Sequence, residues 1–220
     1  MELAVLQKKI LEYIQSNGMS TTEVADAMYK TGELDPKLQV LLPGSRVAGI
    51  IHYIPAFNGS NYHVHNYARN TPKDAVVYID AVNCDGKAIF GDLVAKYIFS
   101  YRQAKGIVVS GLIRDVQQLI KEKYPIWSYG RSPIGCINTD TGFDEEYYNR
   151  RKQELDGGII VADDTGVVVI KKDRITQEVF ERLEFLGKQE AVWSDCITRL
   201  RWDTFDTICL KRYNEQSEAK

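Results

Sequence analysis

The segment Gly91-Asp92-Leu93-Val94-Ala95, continued as KYIFSYRQAKGIVVSGLIRD to Asp115, contains the pattern that decides the fold. Behind an N-terminal acid, its first half repeats apolar residues at spacings of three and four, which predicts a helix over residues 92–103. Residues 106–111 form a short apolar run bounded by glycines, which is typical of a strand covered on both faces. A second helix is predicted over 116–121. This order of helix, buried strand and helix indicates an α/β fold.

Other parts of the chain extend this pattern. An apolar stripe over residues 3–14 predicts a first helix that ends at Asn17-Gly18, and Ser20-Thr21-Thr22-Glu23 forms the capping box of a second helix. A long amphipathic helix is predicted from Ile175 to about Thr198. Strands are predicted near residues 46–54, 75–81, 106–109, 126–128, 158–161 and 167–170. The alternation favours α/β layers over an all-β sandwich.

Two carboxylates and one guanidinium, those of Asp92, Asp115 and Arg114, stand at the ends of these elements. A hard divalent cation binds through one or two carboxylates plus waters and substrate oxygens, which suits Asp115. The planar fork of Arg114 matches a carboxylate, and backbone N–H groups after Gly91 would add an anion site at a helix start. With Asp92 relaying a proton through water, this set predicts metal-assisted chemistry on a 2-oxo acid.

The same residues also allow a purely structural interpretation. Acids are favoured at helix N-termini, where they cap the helix and interact with its dipole. Asp92 and Asp115 would then stabilise helix starts, and Arg114 would be a surface ion-pair partner. The spacing by itself leaves both interpretations open.

Six motifs, in order between residues 22 and 170, resemble the family of the regulator of ribonuclease E activity A, the RraA-like family. They are TEVADAM at 22–28, PGSRVAG at 43–49, DAVVYIDA at 74–81, AIFGDLVA at 88–95, PIWSYGRSP at 125–133 and VADDTGVVVI at 161–170. That family also contains 4-hydroxy-4-methyl-2-oxoglutarate aldolases that double as oxaloacetate decarboxylases. The resemblance implies a β/β/α swivelling-type domain, assembled as a homotrimer or homohexamer. We expect one domain over 1–220, with its core at about 22–170 and a C-terminal helix and tail at 175–213.

The resemblance also implies a role for each matching position. Arg114 would bind the pyruvate moiety, Asp115 would hold Mg²⁺ or Mn²⁺, and Asp92 would serve proton transfer. The remaining substrate contacts would come from Gly91, Leu93 and Val94. This chain has twenty-one residues between Asp92 and Arg114, one more than the family pattern. We expect the extra residue in the loop at 103–105, because loops absorb insertions, whereas one inside the helix would rotate Asp92 by about 100°.

Two segments depart from the family pattern. Residues 139–156 are polar and charged, which predicts a solvated helix or a flexible flap that either covers the site or is a lengthened surface loop. Residues 199–213 mix aromatic side chains with charges, as protein interfaces often do, so we expect them to pack on a neighbouring subunit. Packing within the same subunit is the alternative. Asp203 and Asp206 are candidates for an acid contributed by a neighbouring subunit.

Charge and composition exclude several classes of protein. A formal net charge of −2 over 220 residues provides no basic field for nucleic acid. No apolar run approaches the ~20 residues of a membrane span, and Lys8, Lys9 and Glu12 interrupt any signal-peptide core. We therefore expect a cytoplasmic protein without nucleic-acid or membrane partners.

The cysteines and histidines give weaker signals. The four cysteines are dispersed without a C-x-x-C pair, which favours reduced thiols over disulfides or zinc. His63 and His65 are spaced like two ligands on a strand face, but the resemblance implies a helix there, on which alternate residues diverge. We expect no zinc site, and a substrate contact by either histidine stays open.

Together these observations predict a class II, metal-dependent carbon–carbon lyase that cleaves a 4-hydroxy-2-oxo acid or decarboxylates oxaloacetate through a pyruvate enolate. One alternative is a non-catalytic regulator that binds a ribonuclease complex, and another is a family enzyme with a different acid substrate. The presence of both Gly91-Asp92 and Arg114-Asp115 favours an enzyme, because a regulator need keep neither.

Overall fold

A mixed sheet forms the centre of the computed structural model, which describes residues 3–214; the two ends of the expected 1–220 domain lie outside this range. Its strands are β1 (Gln39–Val40), β2 (Val47–Phe57), β3 (Val76–Val82), β4 (Ala88–Phe90), β5 (Gly106–Ile113), β6 (Ile126–Arg131), β7 (Ile159–Ala162) and β8 (Val167–Ile170). They follow the spatial order β1-β6-β5-β3-β2-β7-β8, and β4 pairs with β5 outside this path.

Helices cover the sheet and confirm the predicted α/β fold. They are α1 (Leu3–Ser16), α2 (Thr21–Ala27), α3 (Tyr62–Ala68), α4 (Asp92–Lys96), α5 (Val116–Lys121), α6 (Glu145–Leu155) and α7 (Gln177–Thr198). Short 3₁₀ and π segments add Lys172–Arg174, Tyr97–Tyr101 and Phe205–Cys209. None of the helices among residues 3–214 is both long enough and apolar enough to cross a bilayer.

Strand direction places the chain segments that carry the predicted site. β2, β3, β5 and β6 run parallel to one another, and β4 is parallel to β5. The outer pairs, β1 with β6, β2 with β7 and β7 with β8, are antiparallel. Parallel strands end at the same edge of a sheet, which is where α/β proteins form clefts. Gly91 follows β4 and Arg114 follows β5, so both lie at this edge.

The apolar core has three parts on two faces of the sheet. Side chains of α3, α4 and α5, among them Val64, Val94 and Leu119, pack on one face of the parallel strands. The opposite face, with Tyr53 and Tyr78, packs against α6 and against one side of β7 and β8. The other side of β7 and β8 is covered by α1, α2 and α7. Alternation along the strands produces this division, because successive side chains point to opposite faces.

Several local predictions are confirmed. The capping box at α2 is present, with the Ser20 hydroxyl accepting from the Glu23 N–H and the Glu23 side chain accepting from the Ser20 N–H. Gly18 follows α1 in the left-handed region, at φ +61°, as the end of the first helix requires. The last long helix starts at Gln177, two residues after the predicted start, because Thr176 caps it through Val179 N–H.

The predicted helix over 92–103 is α4 continued by a π-helical segment, Tyr97–Tyr101. A π turn takes in one residue more than an α turn. The π segment is thus a second place where the chain has room for one more residue, and the position expected at 103–105 stays a prediction. Because the π segment follows Asp92, the start of α4 keeps its orientation.

Within residues 139–156, Glu145–Leu155 form a helix, α6, which is the first of the two predicted possibilities, and residues 139–144 lead into it without regular structure. Asp144 caps α6 by accepting from Tyr147 N–H at 2.8 Å, and Tyr148 and Leu155 are buried. These side chains pack on the sheet face opposite to α4 and α5. The segment that departs from the family pattern thus contributes to the core, and α6 does not cover the edge that carries Gly91 and Arg114.

The tail beyond α7 folds back on its own chain. Trp202 N–H donates to Cys196 O at 3.0 Å, and Thr207 is fully buried. Asp203 caps the π segment by accepting from Asp206 N–H, and Asp206 pairs with Arg212 at 2.9 Å. The alternative of packing within one subunit is therefore present, and a contact with a neighbouring subunit stays a prediction.

Candidate functional site

A small cleft lies at the carboxyl ends of β4 and β5, with a volume of about 100 Å³. Five of the six predicted site residues line it: Gly91, Leu93, Val94, Arg114 and Asp115. The parallel pairing of β4 with β5 brings the segments at 91–94 and 114–115 together. The sequence therefore predicted most of the cleft wall that these two segments form.

Arg114 and Asp115 are held by an unusual turn between β5 and α5. Arg114 N–H donates to Phe90 O at 3.0 Å, which ties the turn to the end of β4. Asp115 adopts φ +56° and ψ +32°, a left-handed conformation that non-glycine residues seldom occupy and that aspartate tolerates better than most. Such conformations recur at functional sites.

The carboxylate of Asp115 is turned away from its own helix. It makes no cap hydrogen bond to α5. Its Oδ2 instead accepts from Asp92 N–H at 3.1 Å and lies 3.8 Å from Arg114 Nε. Asp115 thus does not cap the helix that follows it, but it accepts from the first N–H of α4 and pairs with Arg114, so the structural interpretation stays open beside the functional one. The ion pair is half exposed, with side-chain exposures of 52% and 48%, and such pairs contribute at most about 1 kcal/mol to stability.

Two glycines allow this close packing. A Cβ on Gly91 would lie 2.1 Å from Asp115 Oδ2 and 2.9 Å from Arg114 Cγ. A Cβ on Gly135 would lie 2.7 Å from Arg114 Nη1. The backbone at both positions therefore packs directly against the charged pair and fixes where the two side chains can stand.

Gly91→Ala is expected to weaken the site without unfolding the chain. The new methyl group would push the Asp115 carboxylate off Asp92 N–H, and Asp115 is half exposed, so the core would not change. We expect kcat/KM for the reaction proposed below to fall about tenfold or more, since small misplacements of reacting groups are costly. Gly187→Ala, on α7, is the matched control, and an active Gly91→Ala enzyme would contradict this account of the packing.

The sequence predicted that the Asp92 carboxylate faces the cleft together with Asp115, but the structure places it beside the cleft. Asp92 N–H lies in the site, but its side chain is not among those that line the cleft. Its Oδ1 is buried and accepts no hydrogen bond from any residue in 3–214. A buried carboxylate oxygen without a partner is costly, so it calls for a donor that the described chain does not supply.

The side chains at the cleft suit an ion such as Mg²⁺, which binds through few protein ligands, better than a metal that is held by protein ligands alone. In the described part of the chain no three His, Cys, Asp or Glu side chains come together as a metal site. Mg²⁺ often takes only one or two carboxylates and completes its shell with water and substrate oxygens. Asp115, half exposed and with Oδ1 accepting no hydrogen bond within residues 3–214, has the chemistry for such a ligand.

Residues 21–169 match the family model named RraA-like, described as Aldolase/RraA. The chain belongs to the RraA-like family. Protein DlpA of Legionella pneumophila is 29% identical over 188 residues, which cover 79% of this chain and 29% of that protein. The chain therefore spans less than a third of that curated relative. Because the family description joins aldolases with RraA, membership alone does not distinguish an enzyme from a regulator.

Solved structures show the same RraA-like fold. An uncharacterized protein from Pseudomonas syringae superposes with a TM-score of 0.69 at 21% identity, covering 91% of this chain and 96% of that one. Streptomyces coelicolor RraAS2, described as an unusual member of the RNase ES inhibitor RraA family, gives 0.62 at 21% identity, with coverages of 82% and 95%. At these identities the likeness establishes the fold.

In this RraA-like chain, six residues that were not predicted as site residues complete the cleft: Asn61, His65, Ala88, Phe90, Gly135 and Cys136. Asn61 N–H donates to Ile137 O at 2.9 Å and Asn61 Nδ2 donates to Ile89 O at 3.1 Å, which joins α3 to β4. The two histidines lie in different places, and a substrate contact by either of them stays a prediction. His65 lines the cleft, whereas His63 is buried, with its ring 4.7 Å from that of Phe143. The two diverge as helix geometry requires.

Two wider depressions flank the cleft. One, of about 410 Å³, shares His65, Leu93 and Val94 with it, and the other, of about 440 Å³, shares Arg114 and Asp115. Leu93 is 81% exposed at the boundary between the cleft and the first depression. The RraA-like site is thus shallow and has an apolar rim.

A separate cavity, of about 370 Å³, is lined by several charged side chains, three of which, Arg151, Glu154 and Lys171, are paired with one another. Arg151 Nη1 bonds Glu154 at 2.6 Å, Lys171 bonds the same carboxylate, and Arg151 Nε bonds Asp80 at 3.0 Å. These contacts join α6 to the sheet and account for the charges of these three side chains within the fold of the RraA-like chain.

Proposed function

We propose that this chain is a divalent-metal-dependent lyase that acts on a small 2-oxo acid, by retro-aldol cleavage of a 4-hydroxy-2-oxo acid, decarboxylation of oxaloacetate, or both. The observation that supports this most is the adjacent, half-exposed pair of Arg114 and Asp115 in one cleft. The pair contributes little to stability, it is packed by Gly91 and Gly135, and it sits in a strained turn.

Arg114 binds the substrate carboxylate in this proposal. Its guanidinium can donate two parallel hydrogen bonds to a carboxylate, which fixes the orientation of the 2-oxo acid. The same charge stabilises negative charge that develops on the substrate oxygen when the carbon–carbon bond breaks. The backbone of Gly135 beneath Nη1 keeps the guanidinium in place.

Asp115 would hold Mg²⁺ or Mn²⁺ through its carboxylate. The ion, when bound, supplies a Lewis acid that polarises the carbonyl of the substrate. Asp92 N–H holds Asp115 Oδ2 at 3.1 Å, so Oδ1 is the oxygen left to face an ion. Asp92 thus positions the ligand through its backbone.

Proton transfer to the product carbon needs an acid close to the cleft. We assign it to the Asp92 carboxylate acting through a water, since its buried Oδ1 requires a donor that the described chain lacks. Leu93 and Val94 form the apolar wall that limits water beside the reacting carbon.

A second copy of the chain is the partner that we propose for the apolar rim. Leu93 and Tyr101 are 81% and 75% exposed, and Tyr97 is 37% exposed. Exposed apolar side chains grouped beside a site are typical of surfaces that another protein covers. A homotrimer or homohexamer would then enclose the shallow cleft. We propose no nucleic-acid or membrane partner.

Metal removal provides the direct test of this function. We expect the chain to decarboxylate oxaloacetate or to cleave one member of a panel of 4-hydroxy-2-oxo acids with Mg²⁺ or Mn²⁺, and EDTA to abolish turnover. Asp115→Asn should lower metal-dependent kcat/KM by about a hundredfold or more, because the neutral amide is a poor ligand for a hard cation. Pyruvate release, followed with a coupled dehydrogenase, is the measurement.

The control for this variant is Asp173→Asn, an exposed aspartate outside the cleft. Equal activity of the Asp115→Asn and parent proteins, or turnover that EDTA does not change, would contradict a metal-dependent lyase. No turnover with any acid would contradict the lyase as well and would favour the regulator class that the RraA name represents.

A further inference from the structure

Three parallel strands, β4, β5 and β6, end side by side at the candidate site. Their registers place Phe90 beside Ile113 and Ile113 beside Arg131. Neighbouring strands of a sheet lie about 4.8 Å apart, so Arg131 stands one strand away from the turn at Arg114-Asp115, on the side opposite to β4. Ser132 N–H donates to Ile113 O at 3.0 Å, which fixes the end of β6 to the end of β5.

A second guanidinium, that of Arg131, therefore lies beside the pair of Arg114 and Asp115. Arg131 is exposed and lines the depression of about 440 Å³ together with this pair. Among residues 3–214 its side chain has no ion pair and no hydrogen bond. The charged side chains that line the depression are two arginines and one aspartate, in a chain whose formal net charge is −2. A concave surface with an excess of positive charge attracts anions.

The cleft is too small to hold a whole five-carbon acid. Its volume of about 100 Å³ equals that of about three water molecules in the liquid, which is room for the carboxylate and the carbonyl of a 2-oxo acid. The remainder of the acid must extend into one of the two flanking depressions.

The two depressions meet the cleft through different residues. The depression beside α3 meets it through His65, Leu93 and Val94, whereas the depression beside β6 meets it through Arg114 and Asp115. In the proposed function these last two residues hold the 2-oxo end of the acid. The rest of the acid therefore passes directly into the depression beside β6, where the guanidinium of Arg131 is free.

We propose that Arg131 binds a second carboxylate of the substrate, so that the chain prefers a 4-hydroxy-2-oxo diacid to the corresponding monoacid. This assignment rests on the proposed function, because it places the first carboxylate on Arg114 and the 2-oxo group beside Asp115. A guanidinium pairs with a carboxylate through two parallel hydrogen bonds, and each arginine then has one carboxylate. The single charge of Arg131 matches that of a carboxylate, whereas a phosphate would bring a second negative charge toward Asp115.

Two acids that differ only at the far end test this assignment. 4-Hydroxy-2-oxoglutarate carries a carboxylate where 4-hydroxy-2-oxopentanoate carries a methyl group, and retro-aldol cleavage of either acid releases pyruvate, which liquid chromatography quantifies. With Mg²⁺ or Mn²⁺ we expect the parent to have the higher kcat/KM for the diacid. Arg131→Ala should lower that value by about tenfold to a hundredfold, mostly through KM, because it removes hydrogen bonds to a charged group. The value for the monoacid should stay unchanged.

Arg69→Ala is the matched control. Arg69 is an exposed arginine that lines the other depression, beside α3, and its removal should leave the preference for the diacid unchanged. Arg131→Lys keeps the charge but loses the planar fork, so its kcat/KM for the diacid should lie between those of Arg131→Ala and the parent. Loss of the preference in Arg69→Ala instead of Arg131→Ala, or an equal loss for both acids in Arg131→Ala, would overturn the assignment.

Binding of acids that cannot be cleaved separates this assignment from the proposed function. 2-Oxoglutarate and 2-oxopentanoate lack the 4-hydroxy group and again differ by one carboxylate, and isothermal titration calorimetry with Mg²⁺ measures their Kd. We expect the parent to bind the diacid about tenfold more tightly and Arg131→Ala to bind both acids equally.

The outcomes of the two experiments are distinct. If the parent shows the difference in Kd but cleaves no acid, the lyase proposal fails and Arg131 keeps its ligand. If the parent cleaves 4-hydroxy-2-oxo acids but neither its kcat/KM nor its Kd favours the diacid, the assignment of Arg131 is overturned and the proposed function stands. A parent that binds neither acid and cleaves none would overturn both.

Discussion

Arg114→Ala is expected to lower kcat/KM for metal-dependent oxaloacetate decarboxylation by about a hundredfold to a thousandfold, because loss of a preorganised donor to developing charge has this cost. Arg114 is half exposed and its ion pair with Asp115 spans 3.8 Å, so the variant should fold normally. Steady-state turnover with Mn²⁺ and thermal unfolding of the same preparation are the measurements.

Two further variants make this prediction specific. Arg114→Lys keeps the positive charge but loses the planar fork, so we expect an activity between those of Arg114→Ala and the parent, with most of the loss in KM. Arg199→Ala removes an exposed arginine from the tail, where it pairs with Asp195, and should leave turnover unchanged. Parent-like activity of Arg114→Ala would remove the proposed substrate anchor.

Arg151→Ala is expected to destabilise the chain by about 3–5 kcal/mol, since it leaves a buried carboxylate without its cation. Asp80 is 5% exposed, and its Oδ2 accepts from Arg151 Nε at 3.0 Å, Tyr53 OH at 3.0 Å and Tyr147 OH at 3.2 Å. Removing the guanidinium would disrupt the attachment of α6 to the sheet. Urea unfolding at neutral pH, with the free energy extrapolated to water, measures the effect.

The neighbouring arginine provides the control. Arg150→Ala removes a solvent-exposed side chain whose guanidinium lies 5.3 Å from the ring of Tyr147, and we expect a cost of about 1 kcal/mol or less. The double variant Asp80→Asn, Arg151→Met should recover part of the stability lost in Arg151→Ala, because neither charge is then left alone. A loss in Arg151→Ala no larger than that in Arg150→Ala would contradict the proposed role of the buried pair.

Much of the fold could be predicted because its strands are apolar runs and its helices carry local signals. The capping box at Ser20 and the glycine after α1 depend only on nearby residues, and both are present. β1 and β4, of two and three residues, were missed because segments so short have no periodicity. The burial of α6 depends on Asp80, which is distant along the chain, so its polar sequence indicated only a helix or a loop.

The site could be predicted in part for the same reason. Gly91 and Arg114-Asp115 were found through their places at the ends of elements and through the family resemblance, whereas the pairing of β4 with β5 that brings them together was not predicted. Asn61, His65 and Cys136 come from other parts of the chain, and no local pattern links them to the cleft. The direction of the Asp92 side chain depends on the exact phase of a short helix, which spacing cannot fix.

The central claim is that Asp115 holds a divalent ion beside a 2-oxo acid bound by Arg114. A crystal of the protein grown with Mn²⁺ and pyruvate tests it directly, since the anomalous signal of manganese locates the ion. We predict a manganese peak at coordination distance from the Asp115 carboxylate, with the pyruvate carboxylate on the Arg114 guanidinium. A manganese peak on other residues, or pyruvate bound away from Arg114, would contradict the account.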